Sequence, residues 1–142
     1  MHIVFGGAFN GKRQYVKEML SSKETVWCEG KLPDAADQSV VIAGLEQWVK
    51  MQLERQMDEE TIQQLVKKTV QSKKGQQQIW ILTDMNRGIV PVDAIERKLR
   101  DVIGRIYQDL FKEAELVTRI WYGIPQLIKG ADENEHLYQN RR

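Results

Sequence analysis

The stretch Ile3-Val4-Phe5-Gly6-Gly7-Ala8-Phe9-Asn10-Gly11-Lys12 decides the fold. Three apolar, β-favouring residues run into a glycine pair, as a buried strand does where it ends. Gly6, Gly11 and Lys12 then fit the G-x-x-x-x-G-K core of a Walker A motif. Such a loop turns back on itself so that successive backbone N–H groups face one phosphate, and glycine permits the dihedral angles this needs. A helix beginning near Lys12 adds its positive dipole end, and the lysine ammonium reaches the terminal phosphates. Tyr15, Val16, Met19 and Leu20 share one face of that helix. The candidate nucleotide-binding residues are therefore Gly6, Gly7, Ala8, Phe9, Asn10, Gly11, Lys12 and Arg13, with Lys12 also a candidate catalytic residue.

Outward from this loop, apolar runs alternate with helical patterns. Strands are expected at Thr25 to Cys28, Val40 to Ile42, Ile79 to Leu82 and Leu116 to Tyr122. Leu45, Trp48, Val49, Leu53 and Met57 step along one helix, and Ile62, Leu65, Val66, Thr69 and Val70 along another. Asp93 with Glu96 reads as an acidic capping box opening a long helix from Ile95 to Ala114. Pro125 to Ile128 suits an edge strand, because proline cannot donate to a central ladder. The alternation predicts an α/β domain with a mostly parallel sheet, helices on both faces and a C-terminal edge strand. Residues 1–129 are expected to form this single P-loop nucleotide-binding domain, and 130–142 a polar tail. Ligands of such sheets bind beyond the carboxyl ends of the strands.

Composition narrows the function classes. A chain of 142 residues with 42% hydrophobic and 29% charged residues can bury one core. The net charge of +1 offers no field for nucleic acid or an anionic membrane. No apolar run approaches the roughly 18 residues a membrane helix requires. Cys28 stands alone and cannot form an internal disulfide, and no secretory signal opens the chain, so a cytoplasmic location is expected.

A Walker A motif ends in Ser or Thr, whose hydroxyl binds Mg²⁺. Here the position holds Arg13, which cannot ligate a cation. Either the hydroxyl was lost with catalysis, or Arg13 supplies positive charge to a phosphate in place of magnesium.

Several segments together resemble the adenosylcobinamide kinase/adenosylcobinamide-phosphate guanylyltransferase family of cobalamin biosynthesis. Gly6-Gly7-Ala8 through Gly11-Lys12 is similar to its G-G-A-R-S-G-K-S opening. Gly88-Ile89-Val90-Pro91 resembles its G-I-V-P. Leu99-Arg100-Asp101-Val102-Ile103-Gly104-Arg105-Ile106-Tyr107-Gln108 is similar to its F-R-D-x-x-G-R-x-N-Q, with Tyr107 where asparagine is usual. Gly123-Ile124-Pro125 followed by Lys129 resembles its closing segment. The resemblance implies a RecA-like P-loop fold, a homo-oligomer, ATP or GTP as bound nucleotide, and a cobinamide-type substrate. That family phosphorylates a hydroxyl of adenosylcobinamide, then transfers GMP from GTP through a histidine intermediate.

The chain departs from this pattern where the chemistry lies. The guanylylated histidine belongs to a segment between the second strand and the Walker B strand, and Glu29 to Gln38, which occupies that interval, holds none. His2 and His136 match no motif and read as incidental surface residues. In the Walker B stretch Val40-Val41-Ile42-Ala43-Gly44-Leu45-Glu46-Gln47-Trp48, Ala43 stands where the family has aspartate. With the hydroxyl and that carboxylate both replaced, Mg²⁺ binding is in doubt and no metal-ligating set is assigned. Asp84, after the fourth strand, falls about where the family has a glutamate and is the second candidate catalytic residue. It could hold magnesium through water or orient a hydroxyl, or it could be a turn-forming aspartate.

Other residues have plainer readings. Trp27, Trp48, Trp80 and Trp121 suit core or subunit packing, Cys28 a small buried hydrophobe, and the Lys67-Lys68 and Lys73-Lys74 pairs a solvated helix face. Arg100, Asp101 and Arg105 lie on the polar side of the long helix, where exposed ion pairs are worth little. Three functions remain open: a reduced kinase that lost guanylyl transfer, a non-catalytic nucleotide- or phosphate-binding homologue acting in regulation or assembly, and a structural relative with an empty loop.

Overall fold

In a computed structural model, the residues described are 1–8, 10–20, 25–34, 38–85 and 93–130. The opening apolar run forms β1 (His2–Gly6), followed by α1 (Lys12–Leu20) and β2 (Val26–Glu29). Then come β3 (Val40–Ala43), α2 (Leu45–Glu54), α3 (Glu59–Ser72), β4 (Gln78–Thr83), α4 (Ala94–Glu113), β5 (Leu116–Trp121) and β6 (Ile124–Lys129). The six strands form one sheet in the order β2-β3-β4-β1-β5-β6. β1 to β5 pair in parallel, and β6 closes the edge antiparallel to β5. The edge strand is longer than its proline suggested, because Pro125 sits next to its start, where it pairs with Ile120.

Burial on both faces explains why the central strands read as unbroken apolar runs. All four residues of β3 are buried, as are the first five of β4. One face is covered by α1, whose Val16 and Leu20 pack with Val4, Val41, Ile79, Ile81 and Ile120. The opposite face carries α2, α3 and α4 over Ile3, Ile42, Trp80, Leu82 and Val117. Each such fully buried aliphatic side chain contributes about 1.5–3 kcal/mol relative to exposure.

β1 lies centrally, with β4 on one side and β5 on the other. The helices that follow β1 and β4 lie on opposite faces, α1 after β1 and α4 after β4, so the crevice of an α/β fold opens between the carboxyl ends of β1 and β4. Gly6 pairs with Thr83 at the ends of β1 and β4, and the Asp84 N–H donates to the Gly6 carbonyl at 2.9 Å. Gly6 is also fixed by packing: a Cβ there would lie 2.4 Å from the Ile120 carbonyl oxygen of β5.

Several expectations need correction. Asp93 caps α4, accepting from the N–H groups of Ile95 (2.8 Å) and Glu96 (3.4 Å). The Glu96 carboxylate pairs with Lys50 of α2 at 2.5 Å. Lys73 is buried, not solvated. His2 is no incidental surface group: its Nε2 lies 2.9 Å from Thr118 Oγ1, joining β1 to β5. Trp80 and Trp48 belong to the core, whereas Trp121 is 59% exposed. Arg105 reaches α3, its guanidinium donating to both oxygens of Glu59 at 2.5 and 2.8 Å, which lowers the Glu59 carboxyl below its ordinary range.

Candidate nucleotide-binding site

The loop after β1 is shaped by its glycines. Gly11 has φ +87°, a conformation that side chains with a Cβ rarely adopt, and it directly precedes α1. The Gly11 carbonyl accepts the first helical bond, from Tyr15 N–H at 3.0 Å. The Asn10 carbonyl accepts from Gly123 N–H at 2.9 Å, which ties the loop to the turn between β5 and β6. Gly7 is close to Asn10, where a Cβ would meet the amide nitrogen at 3.1 Å.

Lys12 is only 4% exposed, and its Nζ donates to the Gly7 carbonyl at 2.6 Å. A buried ammonium needs such acceptors, because taking the charge out of water is costly. The lysine thus folds back across the loop that would hold the phosphate. Phe9 lies outside the described residues, as do Gly88-Ile89-Val90-Pro91, His136 and the tail from residue 131.

Arg13 turns to the neighbouring strand. Its Nε and Nη2 donate to Glu29 at 2.6 and 3.0 Å, a bidentate pair joining the first turn of α1 to the end of β2. This hydrogen bond raises the Arg13 guanidinium and lowers the Glu29 carboxyl. The indole N–H of Trp27 donates to the same carboxylate at 3.4 Å. Glu29 also reaches the end of β3, for a Cβ on Gly44 would lie 3.2 Å from its Oε2. Gly44 itself, at φ 69°, carries the chain from β3 into α2.

Ala43 ends β3 with no exposure, so nothing at that position could hold a metal. Asp84 directly follows β4 and lines a cleft of about 240 Å³ together with Gly6, Gly7 and Asn10. Next to Asp84 in the chain, the Thr83 carbonyl accepts from the buried Tyr107 hydroxyl at 2.9 Å. Burial raises the Tyr107 phenol well above its ordinary value, and the charges of Glu46 and Asp84 push it the same way. The tyrosine standing where the family pattern has asparagine is therefore a hydrogen-bond donor to the strand that carries Asp84. A larger cleft of about 310 Å³, between α3 and α4, includes none of the loop residues.

Glu46 gave no signal by spacing. It lies in the first turn of α2, its Oε2 is buried, and no hydrogen-bond partner for that oxygen exists among the described residues. Its charge is felt by both Arg13 and Tyr107. The signal that could have found it is an acidic residue in the first turn after a strand, where the helix dipole favours a carboxylate. Among the described residues no three His, Cys, Asp or Glu side chains converge.

The family model for cobinamide kinase / cobinamide phosphate guanyltransferase matches residues 24–128, well over half of the chain. The chain belongs to that family. Its α/β sheet is thus the P-loop NTPase fold of the cobinamide kinase family, a family of cobalamin biosynthesis whose members bind nucleotide. The matched span begins after the phosphate loop, so the loop's role rests on its own geometry. The comparison with curated proteins returned no match. No described helix is long and apolar enough to cross a membrane.

Proposed function

We propose that the chain is a nucleotide-binding member of the cobinamide kinase family that has kept the phosphate loop and lost guanylyl transfer. The observation that carries this reading is Lys12, a buried ammonium held over the loop by the Gly7 carbonyl at 2.6 Å. Folding alone gives no reason to bury a lysine there, whereas a phosphate oxygen in place of that carbonyl would stabilise it further. The backbone N–H groups of Gly7, Ala8, Asn10, Gly11 and Lys12 would supply the rest of the cradle for ATP or GTP. Guanylyl transfer is assigned as lost because the Glu29 to Gln38 segment has no histidine to carry GMP.

The described residues do not fit a protein-held Mg²⁺. Arg13 stands in place of the hydroxyl and is paired with Glu29, and the buried Ala43 stands in place of the carboxylate. A nucleotide-binding protein without turnover, acting in regulation or assembly, accords with these losses. It would work as a homo-oligomer in the cytoplasm.

A second reading, a surviving kinase, is favoured by Asp84, which shares a cleft with Gly6, Gly7 and Asn10. A hydroxyl of a cobinamide-type substrate would form a bond to the terminal phosphorus while the bond to the nucleoside diphosphate breaks, and Asp84 would take the hydroxyl proton. Lys12 would steady the charge on the transferring group.

Calorimetric titration with ATP and GTP, with and without Mg²⁺, tests the first reading. Binding is expected for wild type and is expected to weaken at least about a hundredfold in Lys12→Ala, since a charged contact to phosphate is lost. No binding of either nucleotide at millimolar concentration would sink the proposal. Label from γ-phosphate appearing on cobinamide, and disappearing in Asp84→Asn, would decide for the kinase.

A further inference from the structure

We propose that Trp121 and Tyr122 form the platform on which the base of the bound nucleotide stacks, an inference that rests on nucleotide binding at the Gly6–Arg13 loop. Trp121 is 59% exposed and Tyr122 77% exposed, yet their rings lie 5.6 Å apart beside the phosphate loop. Aromatics this exposed gain little from burial in the free chain, so their position calls for an occupant.

The geometry places that occupant. The Gly123 N–H donates to the Asn10 carbonyl at 2.9 Å, and a Cβ on Gly11 would lie 3.4 Å from Gly123 Cα. The turn is thereby locked against the loop. Trp121 lines the same cleft as Gly6, Gly7, Asn10 and Asp84, so one continuous space joins the phosphate cradle to the indole. A phosphate anchored over β1 would direct the remainder of a nucleotide along it.

The turn itself supplies a second, independent sign. Tyr122 and Gly123 have φ 50° and 75°, the signature of a tight hairpin turn with both central residues left-handed. Asn, Asp or Gly fill the first of those positions at little cost, whereas a bulky side chain there is strained. Strain of this kind persists where the side chain is put to use. Stacking on a flat face reads aromaticity rather than hydrogen-bonding edges, so the platform accepts ATP and GTP alike.

Titrations of the full chain with ATP and with inorganic tripolyphosphate separate the base from the phosphates. Wild type is expected to bind ATP more tightly than tripolyphosphate. Trp121→Ala should weaken ATP roughly tenfold while leaving tripolyphosphate unchanged, and Trp121→Phe should restore most of the difference. ATP, but not tripolyphosphate, should quench tryptophan fluorescence, and Trp121→Phe should abolish that quenching. An ATP-to-tripolyphosphate ratio unaltered by Trp121→Ala overturns the platform and leaves the phosphate loop intact. A fall in oligomer mass in Trp121→Ala with that ratio unaltered overturns it too, and assigns the patch to subunit contact. Failure of wild type to bind either ligand overturns both readings.

Discussion

The carboxyl ends of β1 and β3 lie on either side of β4 and differ in what they can offer a ligand. The β1 end retains Gly6, Gly11 and the buried Lys12, while the β3 end holds Ala43 where the family pattern has aspartate. A phosphate cradle is made chiefly of backbone N–H groups, so it survives while the chain keeps its path. A metal site is made of side-chain oxygens, and one substitution removes each. Gly6 shows how the path is protected, because a Cβ there would press to 2.4 Å from the Ile120 carbonyl whether or not phosphate binds.

The largest effect is therefore expected from the smallest change at the β1 end. Gly6→Ala must push β1 and β5 apart against a backbone atom that has no rotamer to escape into, and should cost about 3 kcal/mol of stability. Denaturant unfolding measures it. A loss below about 0.5 kcal/mol would mean that Gly6 serves phosphate binding alone.

At the β3 end, Ala43→Asp introduces a carboxylate at a position with no exposure and should cost about 2 kcal/mol in the same measurement. Combining it with Arg13→Ser restores both magnesium handles of the family pattern. Only the double variant is expected to make ATP affinity depend on Mg²⁺, by about tenfold. Equal magnesium dependence in wild type would break the contrast between the two strand ends.

Tyr107→Phe probes the bond between them, from the Tyr107 hydroxyl to the Thr83 carbonyl of β4. Leaving that carbonyl without its donor should cost about 1 kcal/mol, and nucleotide affinity should fall less than stability does.

How legible these features were differs residue by residue. The sheet could be read because β1, β3 and β4 are buried on both faces and so are apolar throughout. The path from β1 through a tight loop into α1 could be read because glycines at a fixed spacing follow such a strand directly. Glu46 could not, because its place depends on Gly44 carrying the chain abruptly into α2, a backbone event that no side-chain pattern announces. The Arg13–Glu29 pair escaped for a different reason: its partners are 16 residues apart and meet only because β2 lies at the far edge of the sheet. Trp121 was left between core and subunit packing, since hydropathy at a strand end does not say whether a helix covers it.

The smallest expected effect concerns that pair. The bond from Arg13 holds the Glu29 carboxyl below its ordinary range, so the pair stabilises the fold above the unfolded glutamate pKa of about 4.3 and loses this as pH falls through the lowered folded value. The two side chains are 43% and 45% exposed, and water screens them, which limits the contribution to less than about 1 kcal/mol. Wild type and Arg13→Gln should differ by that amount at pH 7 and converge below about pH 3. Glu59, lowered by Arg105, responds to acid in the same direction, so the fall in wild-type stability alone would not isolate Glu29. The difference between the two proteins does, because the Arg105–Glu59 pair is common to both. A difference that persisted unchanged at pH 3 would show that Arg13 acts through packing rather than charge, and would reopen its role as a phosphate contact.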